Sequence, residues 1–349
     1  MATNYWKGTT GEWTLDANWS EGAYPVDGDV VIFDGRVSQS VTSGMTDGGP
    51  DDDPHGSGYT AKGDWDMLHV KEGFAGSIGT AAEPLCCHCR KIIIEGTGTY
   101  HILCGEKDQS TDATIDLVIV NNSSATVYLY SNANDGENTC QFTNVYVVAG
   151  TVYLAEYTVD TDDQGVYVAN LYVLPRGNSA SAATVDIAEG CYKINGAVPM
   201  NLYMRNGTVT TDSHLGTVFM SSGTLNFGSD GAELSIDQDI TTLIAFGGFI
   251  YWYPDDDSDD SYIGRAVLVG ATLDASGTTN PDRAKVLGNG ADNDIVIGEG
   301  GELNIANNRS NITLAGSSEL INFGGVVATD ISHRQVTTGI ELGIDLAHA

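Results

Sequence analysis

The sequence predicts an all-β chain wound as a right-handed parallel β-helix, a β-solenoid with an N-terminal aromatic cap module. Three observations predict it. The first is repetition: Asn144-Val-Tyr-Val-Val-Ala-Gly-Thr-Val-Tyr-Leu154 returns as Asn170-Leu-Tyr-Val-Leu174 and as Asn201-Leu-Tyr-Met-Arg-Asn-Gly-Thr-Val209. Degenerate copies stand at Asp116-Leu-Val-Ile-Val120, Thr126-Val-Tyr-Leu129 and Thr217-Val-Phe-Met-Ser-Ser-Gly-Thr-Leu225. A unit this short cannot bury its own apolar face, so successive copies must stack. The second is composition: 43 Gly against 8 Pro, which suits short strands joined by turns that need positive φ. The third is periodicity. Apolar positions alternate with period two or run on for four or five residues, and no stretch carries a helical stripe. Continuous runs such as Ile92-Ile-Ile94, Leu117-Val-Ile-Val120 and Ile295-Val-Ile297 suit parallel strands covered on both faces.

Taken in order, residues 1–45 read as the Trp-rich cap or docking module. Trp6, Trp13 and Trp19 fall within fourteen residues, with Phe33 close behind. So large an aromatic load suits the closing of an exposed solenoid end or the anchoring of a partner. Residues 46–85 read as an irregular, loop-rich segment containing Trp65 and His69. Residues 86–325 carry the repeats. Taking the residue after each leading Asn or Asp gives Leu117, Val145, Leu171 and Leu202, which are 28, 26 and 31 apart. Val145, Leu171 and Leu202 are expected along one inner column. Residues 326–349 read as a C-terminal cap or an inter-subunit tail.

Fifteen Lys and Arg stand against 47 Asp and Glu, for a formal charge of -32. Such a polyanion is repelled by phosphate backbones and by anionic membranes, so neither nucleic acid nor membrane is an expected partner. The charge keeps a β-rich chain soluble and protects its edges. Met1-Ala-Thr-Asn-Tyr-Trp6 has no basic start and no apolar core, so the expectation is a protein made in the host cytoplasm without a signal peptide.

The sharpest local chemistry is Cys86-Cys87-His88-Cys89, followed by His101 and Cys104, with Cys140 and Cys191 further on. Cys86, Cys89, His101 and Cys104 are the four candidate zinc ligands. Disulfides are a second reading, and simple thiols, buried or exposed, are the favoured one, because free Cys packs as a small hydrophobe. Asp255, Asp256 and Asp257, with the similar Asp51-Asp-Asp53, are candidate calcium ligands, although dense Asp runs more often form solvated turns. Tyr251, Trp252 and Tyr253 make a possible contact surface for a sugar ring or a protein. With so many carboxylates no catalytic pair stands out, and the nucleophile-elbow, metalloprotease and phosphate-loop motifs are missing from the sequence. The expectation is therefore no enzyme and no cofactor.

The pattern Trp6-Lys7-Gly8, Gly11-x-Trp13, Asn18-Trp19, Gly22-x-x-Pro25, Gly28-Asp29-x-Val31-x-Phe33 resembles the start of β-solenoid proteins of two kinds. These are bacterial passenger proteins and tailed-bacteriophage virion proteins of the auxiliary capsid or fibre type. The resemblance covers about the first 35 residues and the general repeat style. It implies a structural virion protein, a homotrimer on the particle surface. The leading expectation is a capsid decoration protein on the outer surface of the head, touching the major capsid protein and stabilising the shell. The alternative is a host-glycan-binding or glycan-cleaving fibre or spike.

Overall fold

The computed structural model describes residues 2–45, 64–104, 113–131, 140–154, 166, 168–175, 183–187, 200–211, 213, 215–227, 239–252, 261–274, 284–288, 295–305, 311–314, 320–322 and 326–329. Across these the chain is a parallel β-solenoid, and its only helical element is the single 3-10 turn Asp16–Asn18. It divides into two units, residues 1–177 with 182–198 and residues 178–181 with 199–349.

In the first unit Thr3–Tyr5 lies parallel to Val30–Phe33, which pairs in turn with Met67–Val70, and that with Lys91–Ile94. The column continues through Ala113–Ser131 and Cys140–Leu154 to Val168–Val173. A second column stacks Leu85–Cys89, Thr99–Cys104, the later halves of the two long strands, and Ala183–Ile187. The long strands serve both columns because they turn a corner, where the pairing register shifts between Val120 and Thr126.

Register puts like upon like. Ile92 faces Val118, Val118 faces Val145, and Val145 faces Leu171, all fully buried. Each layer thus hands the next an apolar side chain about 4.8 Å away, the strand spacing of a sheet. The expected stacking of Val145 on Leu171 is observed, and Leu202 is likewise interior in the second unit, facing Val218. Leu117 is corrected: it pairs with Asn144 and is only half-buried, and Val118 takes the inner place. A one-residue slip inverts the face of a strand, and the run Leu117-Val-Ile-Val120 gives no alternation from which to choose.

The second unit repeats the plan. Met200–Met204, Leu215–Met220, Asp239–Ala245, Ala266–Leu268, Ile295–Ile297 and Leu320–Asn322 stack in parallel. Beside them run Thr208–Thr211, Thr224–Phe227, Gly248–Trp252, Ala271–Asp274, Glu302–Ile305 and Val326–Thr329. Ser261–Ile263, Ala284–Leu287 and Asn311–Leu314 form a third, shorter column on the start of Asp239–Ala245.

The corner between the first two columns explains the recurrent glycine. Gly207, Gly223 and Gly248 hold φ of 93°, 100° and 95°, left-handed backbone that an L side chain resists. They also stack: Thr224 donates its amide to the Gly207 carbonyl at 2.9 Å, and Phe249 to that of Gly223 at 2.9 Å. A Cβ on Gly223 would sit 2.6 Å from the Gly207 oxygen, and one on Gly248 2.6 Å from the Gly223 oxygen.

Two expected boundaries move. The parallel column begins at Thr3, so residues 1–45 form layers of the solenoid and not a module set apart from it. Within the segment read as irregular, Asp64–Trp65, Met67–Val70 and the start of Leu85–Cys89 are strands. The insertion 46–63, outside the described residues, separates two layers and hid the repeat. At the far end Val326–Thr329 still pairs in the stack, and residues 330–349 lie outside the described residues.

Gly223→Ala is expected to lower the thermal midpoint far more than Gly22→Ala. Gly22 also has positive φ, at 73°, but open space where a Cβ would go. Backbone strain alone should cost about 1 kcal/mol there. At Gly223 the carbonyl clash adds to that, and paired melting curves of the two variants measure the difference.

Candidate functional site

The N-terminal motif builds an interior. Trp6, Trp13, Trp19, Phe33 and Trp65 are each 2% exposed or less. Trp19 meets Trp13 edge-on at 4.8 Å and Trp6 edge-on at 5.1 Å, while Trp13 stacks on Trp65 at 5.2 Å. Phe33 lies 5.7 Å from Trp6 and 5.2 Å from Phe74. Such contacts add to the burial of large aromatic surfaces.

The polar residues of the motif hold this cluster closed. The buried Asn18 carboxamide accepts from the amides of Thr9 and Thr10 at 2.9 and 3.0 Å, and donates to the Thr10 hydroxyl and the Glu12 carbonyl at 2.9 and 2.6 Å. One side chain thereby satisfies the turn that returns Trp19 to Trp13. Asp29 accepts from Ala2 at 2.9 Å and Val26 at 3.1 Å, tying the first strand to the second. Gly8 is required: its φ is 59°, and a Cβ would meet Gln39 at 2.8 Å. Of the two uses expected for Trp6, Trp13, Trp19 and Phe33, docking is corrected, since the four rings are consumed by internal packing. The apolar side chains this segment presents to solvent are Leu15, Tyr24 and Val26.

The cysteines do not converge either. A straight strand alternates its side chains, so Cys86 and Cys89 point to opposite faces. Cys86 packs outward with Leu103 and Tyr130. Cys87 and Cys89 point inward with their sulfurs 4.0 Å apart, and Cys87 stands opposite Cys104 on the next layer. His101 is on the outer surface, its ring stacked on Tyr128 at 4.5 Å and its Nδ1 2.9 Å from the Tyr130 hydroxyl. The zinc expectation for Cys86, Cys89, His101 and Cys104 is thus corrected, and among the described residues no group of three or more ligating side chains is gathered for a metal. Cys86, Cys87, Cys89 and Cys104 are all buried. The Cys87 thiol is pushed well up by its hydrogen bond to Cys89 and by burial, which disfavours the reactive thiolate. Cys191 lies outside the described residues, as do Asp51 to Asp53, Asp255, Asp256, Asp257 and Tyr253.

Trp252 is corrected as a contact residue. It is fully buried, in register with Phe227 beneath it. Tyr251 faces outward and is half-buried. The exposed aromatics are neighbours that the sequence reading passed over: Phe219 at 39%, Phe246 at 51% and Phe249 at 53%. Phe219 and Phe246 touch at 5.6 Å, and Phe249 stacks with Tyr251 at 6.5 Å. Phe246-Gly-Gly-Phe249 is a tight corner, and aromatics flanking a solenoid corner face outward unless they fall on an inner position.

The outer surface is ordered in ladders. Tyr146 stacks on Tyr172 at 4.3 Å, and Tyr128 on Tyr153 at 4.7 Å. Asn170 donates to the Asn144 side-chain oxygen at 3.3 Å, and Asn144 donates to the Asp116 carbonyl at 3.3 Å. Thr99, Thr126, Thr151 and Thr184 follow one another in register on the second column. No protein-family model, curated protein or solved structure matches this chain.

Two outcomes are expected. Trp19 donates its indole N–H to the Trp13 carbonyl at 2.7 Å, whereas that of Trp13 meets no acceptor among the described residues. Trp19→Phe should therefore destabilise more than Trp13→Phe, by about 1 kcal/mol for the lost hydrogen bond, read from urea midpoints. Burial lowers the His101 pKa, so the unfolded chain binds that proton more readily. Its contribution to stability is complete above the unfolded value of about 6.5 and is lost as pH falls through it. In His101→Phe the drop in melting temperature between pH about 7.5 and about 5 should be smaller than in the parent.

Proposed function

We propose that this chain is a structural protein of a tailed-phage particle: a capsid decoration protein on the outer surface of the head, without catalytic activity. One observation carries the reading. Nearly every residue that made the sequence resemble such proteins is now seen to serve construction. The Trp cluster, Asn18, Asp29 and the left-handed Gly8 and Gly28 build the first layers of the solenoid. The likeness is thus one of architecture, and a layered β body is a means of resisting deformation.

The mechanism is mechanical. Each layer is hydrogen-bonded to the next along its strands, and its apolar side chains interlock with those above and below. The partners of this reading are the major capsid protein and further copies of the chain, as a homotrimer. A decoration protein of this kind spreads the outward pressure of packaged DNA over contacts repeated around the shell. The charge of -32 keeps copies from adhering where they should not, and repels free nucleic acid.

A second reading, a glycan-binding fibre, is favoured by one feature. Phe249 and Tyr251 stand outward beside Thr224, Asn226, Thr272 and Asp274, a mixture of ring faces and hydrogen-bonding groups suited to sugars.

The test is to add purified protein to expanded, undecorated capsids and image them by cryo-electron microscopy. Ordered density at symmetry-related sites outside the shell is the expected result. Bare capsids at saturating protein, with binding on a glycan array, would overturn the decoration reading in favour of the fibre.

A further inference from the structure

One outer row breaks the rule that water-facing strands are polar outside. In the second unit Phe219 stands opposite Ile244, Ile244 opposite Val267, and Val267 opposite Val296. All four point outward between fully buried inner neighbours, and all remain partly exposed. Phe246 extends the row at the corner, 5.6 Å from Phe219. The first unit carries the same row: Ile93, Ile119, Tyr146 and Tyr172 are in register and half-buried.

The neighbouring column differs. Its outward positions are Thr208, Thr224, Phe249, Thr272 and Glu302 in one row and Thr210, Asn226, Tyr251, Asp274 and Asn304 in the next. The apolar outside is thus confined to one row of the first column, repeated layer after layer, while the outward row beside it is Asn201, Thr217 and Thr242. Sheets with a solvated face alternate apolar and polar residues, and sheets covered on both faces do not. By that criterion the row from Phe219 to Val296 is built to be covered.

We propose that this face is where two copies of the chain meet, solenoid against solenoid. The assignment rests on the homo-oligomer part of the reading above and not on its capsid part. Period and charge select the occupant. The row repeats once per layer, about every 4.8 Å, and a second solenoid repeats at the same interval, so side chains can interdigitate along its whole length. The row from Phe219 to Val296 also holds no charged side chain, in a chain of net charge -32. Two such polyanions can approach only where neither presents charge. A face that binds itself needs no partner of opposite sign, as a two-fold axis sets the same patch against itself and a three-fold axis gathers three copies of it.

Sedimentation velocity of the full chain at about 50 µM tests this. The parent should run as a discrete oligomer, more completely associated in about 0.5 M than in about 0.02 M NaCl, because salt screens the repulsion between copies. Ile244→Lys combined with Val267→Lys should run as a monomer with an unchanged circular dichroism spectrum. Phe219→Ser with Ile244→Thr is the gentler pair, and should weaken association if the lysines impair folding. Thr224→Lys, on the neighbouring column, should associate like the parent.

A parent that stays monomeric in both salts overturns the proposal together with the homo-oligomer reading. A folded Ile244→Lys, Val267→Lys variant that associates like the parent overturns the assigned face alone. Association that weakens with salt would point to charge pairing and overturn the apolar contact. The capsid experiment is unaffected by any of these results.

Discussion

Parallel, in-register stacking of one layer on the next is the constraint from which the remaining features follow. Strands held about 4.8 Å apart place equivalent residues directly over one another, so each position in the repeat becomes a column. Inner columns must be apolar and matched in size, as Val118, Val145 and Leu171 are. Corner columns must be glycine where the backbone is left-handed and the carbonyl below leaves no room for a Cβ, as at Gly223 and Gly248. Outer columns become ladders, and the ring stacks of Tyr146 on Tyr172 and of Tyr128 on Tyr153 are their aromatic form.

The same constraint settles what the conspicuous residues do. A tryptophan-rich segment invites a docking function, yet the interior of these layers takes large side chains. Trp6, Trp13, Trp19 and Trp65 fill it. Cys86 and Cys89 have a zinc-like spacing only if the chain between them bends. In a straight strand that spacing sends one thiol outward and one inward, and the hydrogen bond to Cys89, with burial, pushes the inner Cys87 thiol well up.

Much of the fold was legible in the sequence because repetition is visible without knowledge of contacts. The inner places of Val145, Leu171 and Leu202 follow from the recurring Asn-apolar-Tyr pattern, in which alternation marks the face. Where alternation fails, so does the reading. Leu117-Val-Ile-Val120 and Phe249-Ile-Tyr-Trp252 are apolar throughout, and only pairing with Val145 and with Leu225 and Phe227 decides that Val118, Ile250 and Trp252 turn inward. The start of the stack at Thr3 was hidden in the sequence because Val30–Phe33 and the strand it pairs with, Met67–Val70, are 37 residues apart, beyond the spacing of the recognisable repeats. The exposure of Phe246 and Phe249 is not legible in the sequence, because the run from Phe246 to Trp252 holds no alternation that marks an outer face. The apolar outer row was half legible: continuous runs announced strands covered twice, without saying by what.

Coupling between core residues tests the stacking account most directly. A double-mutant cycle on Val118→Ala and Val145→Ala, from urea midpoints, should give a coupling above about 0.5 kcal/mol, as expected of side chains in contact. The same cycle on Leu117→Ala and Val145→Ala should give a coupling near zero, since those side chains lie on opposite faces of the sheet. Strong coupling for Leu117 and none for Val118 would mean that the register is slipped by one residue, and that inner and outer faces are exchanged.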